Sequence, residues 1–154
     1  MRGNMDVEVS VKSVLPDPST ESQIVLLEEE GTSRTLPIWV GMMEGNAIRV
    51  AVERTASARP LTHDLFQHIL ERLRATVKHV VVHDVRENTF YAAIALEVEG
   101  REVTLDARPS DAIALALRAG VPIYARRELL AASESERVQS WLEDLKPTDF
   151  DTQA

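Results

Sequence analysis

The sequence predicts a single compact α+β domain with a mixed or mostly antiparallel sheet packed with helices, and three observations lead there. Period-two and helix-period segments do not alternate but run strands, two helices, strands, helix, strand, helix, which argues against a doubly wound parallel sheet. At 154 residues, 44% of them hydrophobic, the chain fills one core. No internal repeat, low-complexity tract or long linker divides it, so residues 5–130 read as one domain. An amphipathic helix over 131–146 and a loose tail over 147–154 follow.

Each element has its own signal. In residues 5–15, Val7, Val9 and Val11 alternate with polar neighbours, the pattern of a half-buried strand, which Pro16 and Pro18 end. SQIVLLEE and RTLPIWV read as two further strands around Gly31, with Pro37 best tolerated on an edge or at a bulge. After Gly41 the apolar residues Met43, Ala47, Val50 and Ala51 recur at helical spacing over about 42–54, with Glu44 in the first turn. The next helix is expected to start at Thr62 as N-cap and to turn Leu65, Phe66, Ile69, Leu70 and Leu73 along one core-facing side. Strands at about 77–84 and 89–98, joined by Arg86-Glu87-Asn88, form a hairpin with Val80, Val82, Phe90, Ile94 and Leu96 inward. Gly100 leads into EVTLDA, and Pro109-Ser110-Asp111 opens a short helix closed by Gly120 with Pro122 beyond. VPIYA is a brief strand, and Val138, Trp141, Leu142 and Leu145 mark the final amphipathic helix.

Composition removes several functions. The absence of cysteine excludes disulfides, zinc–thiolate sites, iron–sulfur clusters and cysteine nucleophiles, and fits a cytoplasmic protein. No apolar run approaches the roughly 20 residues of a membrane helix, and MRGNMDVEVS lacks a secretory core. A net charge of -8 repels phosphate backbones at long range, so any nucleic-acid contact needs a local basic patch. The six glycines form neither GxGxxG nor GxxxxGK[ST], and Ser110 has no GxSxG elbow, which weakens kinase, dehydrogenase and triad-hydrolase readings. No organic cofactor is expected. His63 and His68 point to different sides of a helix, and His79 and His83, on one strand face, read as solvent-facing rather than as ligands.

Three polar turns concentrate chemistry. Asp106, Arg108, Ser110 and Asp111 sit where a strand meets a helix N-terminus, where free N–H groups favour anions and Arg108 can grip a phosphate. The plain alternative is capping by Ser110 or Asp111, with Asp106 paired to Arg108. Arg59, Thr62, His63 and Asp64 form a similar turn, with His63 a candidate acid or base and Asp64 its orienter or a metal ligand. There the alternative has Thr62 as cap, Asp64 favoured by the helix dipole and His63 exposed; Glu44 has the same dipole explanation.

LPIWVGMMEGNAI (36–48), RPLTHDL (59–65) and DARPSDAIALALRAGVPIY (106–124), in this order and spacing, closely resemble the bifunctional nuclease domain family over residues 5–130. The resemblance implies a compact α+β fold, self-association and, in some members, cleavage of both DNA and RNA with little sequence preference. Many bacterial members also carry a C-terminal motif related to the nucleotide-excision-repair subunits B and C, in whose place this sequence has the Trp141 helix. On a nuclease reading, Glu44, Asp106 and Asp111, with Asp64 as a further carboxylate, hold one or two Mg²⁺ or Mn²⁺ ions. Arg59 and Arg108, with Ser110, then bind phosphate, and His63 transfers a proton. The rival is a non-enzymatic module binding a small anion or a protein, supported by the acidic charge and by an aromatic content of 5%, which offers few stacking platforms. A homo-oligomer, most simply a dimer, is expected from the apolar run Ile38–Met43, rich in residues favoured at interfaces.

Overall fold

The computed structural model describes residues 5–133, in which eleven elements follow one another: β1 (Asp6–Pro16), β2 (Gln23–Glu29), β3 (Thr35–Val40), α1 (Met42–Glu53), α2 (Thr62–Arg72), β4 (Ala75–Arg86), β5 (Thr89–Val98), β6 (Arg101–Ala107), α3 (Pro109–Ala119), β7 (Ile123–Arg126) and α4 (Arg127–Ser133). The strands form one mixed sheet in the order β3-β2-β1-β7-β4-β5-β6. All pairings are antiparallel except β4 with β7, which are parallel. The α+β class with a mixed sheet is therefore the fold of the chain. None of the described helices is long and apolar enough to cross a membrane.

Register explains which side chains reach the core. The pairs Leu27↔Leu36, Val25↔Ile38, Val7↔Ala125, Val80↔Ile123, Val82↔Ala92↔Ala107 and Val80↔Ile94 carry one apolar row across the sheet. Pro37 lies on β3, an edge strand, where a residue without an N–H leaves no central ladder bond unmade. The β4–β5 and β5–β6 turns are two residues long: Glu87 and Asn88 have φ of 49° and 65°, and Glu99 and Gly100 have 51° and 76°. Both residues at positive φ is the turn whose twist suits flanking strands. Arg86 thus belongs to β4 and not to the turn.

Helix α3 is the centre of the layer that covers this row. Pro109 at its first position and Gly120 at φ 68° after its last bound it as the sequence signals predict. Its residues Ala112–Ala116 are all buried, between β4 and β5 on one side and α1 and α2 on the other. The small alanines let these layers approach closely.

The inward faces of α1 and α2 differ from those expected. In α1 the buried residues are Gly45 and Ile48, while Met43 is 78% exposed. In α2 the stripe Leu65, Phe66, Ile69 and Leu73 is exposed, and the helix docks through buried His63 and partly buried Leu70. Spacing showed that these helices have two faces; the polar pairing of His63 decided which one turns inward. The N-cap of α2 is Leu61, not Thr62, and the cap bond comes from Asp64, whose Oδ2 accepts the Leu61 N–H at 2.8 Å. Neither Ser110 nor Asp111 caps α3, whose N-cap is Arg108 with no side-chain cap bond. The last described helix, α4, spans Arg127–Ser133 and inserts Leu129 and Leu130 into the core. Val138, Trp141, Leu142 and Leu145, and the expected tail 147–154, lie outside the described residues.

Helix α1 is seated on β2 by a buried polar group. Gln23, 1% exposed, donates from Nε2 to the Met42 carbonyl and to Asn46 Oδ1, both at 2.9 Å, and accepts from Arg49. Gly45 makes room for it: a Cβ there would lie 2.7 Å from Gln23 Cδ and 2.9 Å from its Cβ. Helix propensity alone favours Ala over Gly by about 1 kcal/mol, whereas overpacking costs about 1–3 kcal/mol. Because its bonds prevent Gln23 from retreating, Gly45→Ala is expected to lower stability in urea denaturation. An unchanged or higher midpoint would show that Gln23 yields.

Candidate functional site

The N-terminal turns of the three helices converge. Gly41 precedes α1 and places Glu44 in its first turn; Leu61 precedes α2 and places His63 and Asp64; Arg108 precedes α3 and places Ser110 and Asp111. A chain of polar contacts joins the turns. Arg108 donates from Nε to Asp111 Oδ2 at 2.9 Å, from Nη2 to Asp111 Oδ1 at 3.2 Å, and from Nη1 to Glu44 Oε2 at 3.1 Å. His63 Nε2 lies 3.0 Å from Asp111 Oδ1; with Asp111 ionised, Nε2–H is the donor. The order of contacts is therefore Glu44, Arg108, Asp111, His63.

Exposure falls from Arg108 through Asp111 to His63. The Arg108 side chain is 63% exposed, and three of the five N–H groups of a guanidinium are engaged, leaving two toward solvent. His63 is 8% exposed, not the exposed residue of the capping alternative, and it tilts against Phe66 with ring centres 6.0 Å apart. Burial pushes the Asp111 carboxyl up, but bonds from Arg108 and His63 outweigh it and hold the group below the usual carboxylate value. Arg108 is in turn held above its ordinary value by Asp111 first and Glu44 second.

Behind the chain stands a second arginine that sequence reasoning missed. Arg118, whose side chain is 8% exposed, donates to Asp64 Oδ1 at 2.8 Å, to the Ala47 carbonyl at 3.1 Å and to the Ala114 carbonyl at 3.0 Å. It ties α3 to α2 and α1 at once. Asp64 faces this arginine and the Leu61 N–H rather than the cleft, and those two donors, the amide first, hold its carboxyl below the usual value against burial. The available signal was a charged residue on the inner side of an otherwise apolar helix, four residues after Ala114.

A cleft of ≈ 290 Å³ opens beside Arg108, lined among others by Trp39, Gly41, Glu44, Asn88, Phe90 and Ser110. Its walls come from opposite parts of the sheet. Strands β3 and β5 are five places apart in the order, about 24 Å in a flat sheet at about 4.8 Å per strand. To share so small a cleft, the sheet must curl toward itself. Gly41 supports the site sterically, since a Cβ there would lie 2.5 Å from Glu44 Oε1. The Glu44 carboxylate rests on backbone.

The other nominated residues lie apart. Asp106 is exposed on β6 opposite Ala93, on the strand face away from Ala107, and is not paired with Arg108. Arg59 is exposed in the segment before α2. Among the described residues no three His, Asp or Glu groups converge to hold a metal. Glu44, Asp106 and Asp111 do not form a ligand set: a guanidinium stands between two of them and the third is on another surface. His79 and His83 are half-buried rather than solvent-facing, and His79 meets Tyr124 edge-on at 5.6 Å.

A family model described as the bifunctional nuclease domain matches residues 24–137. A protein of Mycobacterium tuberculosis described as uncharacterized is 33% identical across 93% of this chain and 97% of its own. Bifunctional nuclease 1 of Arabidopsis thaliana is 32% identical across 80% of this chain, and bifunctional nuclease 2 of Oryza sativa subsp. japonica 30% across 75%. This chain spans 39% and 36% of those two plant proteins.

The depressed carboxyls make stability pH-dependent with a definite sign. A group whose folded pKa lies below its unfolded value of about 3.9 contributes stability above that value and loses it as pH falls through the folded pKa. Asp64→Asn is therefore expected to cost about 1–3 kcal/mol at pH 7, leaving buried Arg118 short of its anionic partner. The gap from wild type should narrow as pH falls below about 4. Urea denaturation at pH 7 and pH 3 checks this, and a gap independent of pH refutes it.

Proposed function

The chain belongs to the bifunctional nuclease domain family, and from that premise we propose that it hydrolyses phosphodiester bonds of DNA and RNA with little sequence preference. The observation that carries the reading is Arg108. Its guanidinium stands at the mouth of the cleft, held at fixed orientation by Asp111 and Glu44, with two N–H groups to spare. A phosphate there meets those donors and the first-turn amides of α3, which have no intrahelical partner. Arg59 is proposed as a further phosphate contact along the strand. Charge neutralisation of this kind stabilises the pentacoordinate phosphorane-like transition state more than the ground state.

Roles follow from depth. Glu44, at the cleft wall, is the carboxylate in reach of a water that attacks phosphorus; it accepts that water's proton as the P–O bond to the leaving sugar oxygen breaks, and that oxygen takes its proton from solvent. His63, behind Asp111, acts through Asp111 on the aim of Arg108 and does not reach substrate. The requirement for Mg²⁺ or Mn²⁺ is open to the same assay, because Glu44 is available to an ion that arrives with the phosphate. Asp106, exposed on β6, is included as a control for the ligand set nominated from sequence. A chain without cysteine suits a reducing cytoplasm, where we place the activity.

Arg108→Ala is expected to lower cleavage of single-stranded DNA and RNA by about 10²–10³-fold, with little change in Tm because the side chain is largely exposed. Assays run with Mg²⁺, with Mn²⁺ and with EDTA. One observation favours the rival, non-enzymatic reading: Glu44, Asp111 and His63 are all paired within the protein, as in a lock between helices. If purified wild type cleaves nothing under any condition while Arg108→Ala loses several degrees of Tm, the lock is the function of the cluster.

We also propose that the protein self-associates, most simply as a twofold dimer. Trp39, Met42 and Met43 of the 38–43 run are exposed, whereas Ile38 and Val40 are buried in the chain itself. The broader apolar surface is on α2, where Leu61, Leu65, Phe66, Ile69 and Leu73 form one exposed stripe. Two such stripes crossing at a twofold axis cover each other. Light scattering at micromolar concentration is expected to give a multiple of 17.2 kDa, reduced to the monomer mass by Phe66→Glu with Leu73→Glu. A monomeric wild type overturns this.

A further inference from the structure

Resting on the phosphodiesterase reading, the next question is what part of a nucleic acid the cleft accepts. A volume of ≈ 290 Å³ is at the small end of ligand pockets, which begin at about 300 Å³. It suits one nucleotide and is too small to admit a base pair. The lining is also divided by chemistry. Arg108, Ser110, Glu44 and Asn88 bring polar groups to it, and Trp39 from β3 and Phe90 from the start of β5 bring aromatic rings. Phosphate-binding and base-binding groups thus share one small space.

Trp39 is built as a platform and not as core. Ile38 and Val40, its neighbours on β3, are 2% and 9% exposed and face the apolar row, while Trp39 on the opposite pleat is 48% exposed. Its indole is nevertheless fixed in place: Nε1 donates to Asp17 Oδ2 at 3.0 Å. Asp17 is itself anchored by Ser19, whose N–H and hydroxyl donate to Oδ1 at 3.0 and 2.8 Å. The Ser19 amide, first among the causes, and Trp39 help keep that carboxyl below the usual value despite burial, so it stays an acceptor at neutral pH. Holding an exposed aromatic ring by a buried anion removes the entropy that a ligand would otherwise have to remove. Ser110, though only 6% exposed, also lines the cleft and brings a hydroxyl to it.

We propose that the cleft is a subsite for one unpaired nucleotide, with its base on Trp39 and its phosphate on Arg108 and Ser110, so that the enzyme acts on single-stranded or locally unstacked nucleic acid. Every base has a π-face, so stacking gives affinity without sequence preference. A duplex has to unstack a nucleotide first, at a cost of a few kcal/mol.

The chain has two tryptophans, Trp39 and Trp141, so fluorescence of Trp141→Phe reports on Trp39 alone. Adenosine 5′-monophosphate is expected to quench it and to bind at least about 10-fold more tightly than ribose 5-phosphate, the worth of one stacked base. Trp39→Ala should erase that difference, Trp39→Phe should retain most of it, and Arg108→Ala should weaken both ligands. A single-stranded hexanucleotide binding more tightly than the mononucleotide identifies a strand as the occupant; the reverse identifies free nucleotide, and overturns the strand part of the proposal. Equal affinity for the monophosphate and ribose 5-phosphate in the Trp141→Phe protein overturns the base subsite outright, with no need for a Trp39 variant to fold. Equal binding of a blunt hairpin duplex and a single strand overturns the requirement for an unpaired nucleotide. These results separate from the activity: stacking without cleavage leaves the subsite and removes the nuclease, and cleavage without stacking does the opposite.

Discussion

A buried guanidinium holds the functional face of this protein together. Arg118 places its charge among α1, α2 and α3 and finds a partner on each: a carbonyl of α1, a carboxylate of α2 and a carbonyl of its own helix. An unpaired arginine at this depth would cost several kcal/mol, so the three helices are constrained to arrive with Asp64, Ala47 and Ala114 in place. Once they do, their N-terminal turns lie side by side. Glu44, Arg108, Asp111 and His63 meet because the fastener one layer below leaves them no other arrangement. The buried ion pair here specifies geometry more than it adds stability.

The two arginines divide the work by solvent access. Each donates three hydrogen bonds to protein, but Arg118 is closed off from water whereas Arg108 presents the rest of its fork outward. Guanidinium suits both places because its charge persists under burial and its donors are planar and fixed relative to one another. Neutralised locally by Glu44 and Asp111, Arg108 adds little to the long-range field of a chain of net charge -8. What it offers is offered at contact.

Much of this was legible in the sequence, and the reason differs from element to element. Strand positions, the bounds of α3 and the edge placement of Pro37 followed from alternation, Pro109, Gly120 and the missing N–H of proline, which are local constraints. The three polar turns were legible as clusters. Which of their members meet was not, because that depends on tertiary partners: Asp106 follows the strand pleat away from the cluster while Asp111, five residues on, turns into it. Helical spacing found two faces on α2 but put the wrong one inward. Leu65, Phe66, Ile69 and Leu73 form the better apolar stripe, yet the bond from His63 to Asp111 and the pairing of Asp64 with Arg118 outweigh it. Gln23 and Arg118 were invisible for the same reason: a polar residue in an apolar segment has meaning only once its partners are known.

The order of the sheet carries a consequence for how the chain comes off the ribosome. β3-β2-β1 and β4-β5-β6 are each antiparallel and local, and each can pair as soon as it is made. Among the described residues they are joined by β7, the last of these strands, which lies between β1 and β4. Until Ile123–Arg126 has emerged, the nascent protein holds two half-sheets with open edges at Asp6–Val9 and Val80–Val82, the pairing positions that β7 will occupy. Such edges are templates for wrong pairing, and synthesis at about 5–20 residues per second leaves them uncovered for several seconds. During that interval the cleft does not exist, since one wall belongs to each half. The nascent chain therefore carries both half-sheets before it carries the cleft.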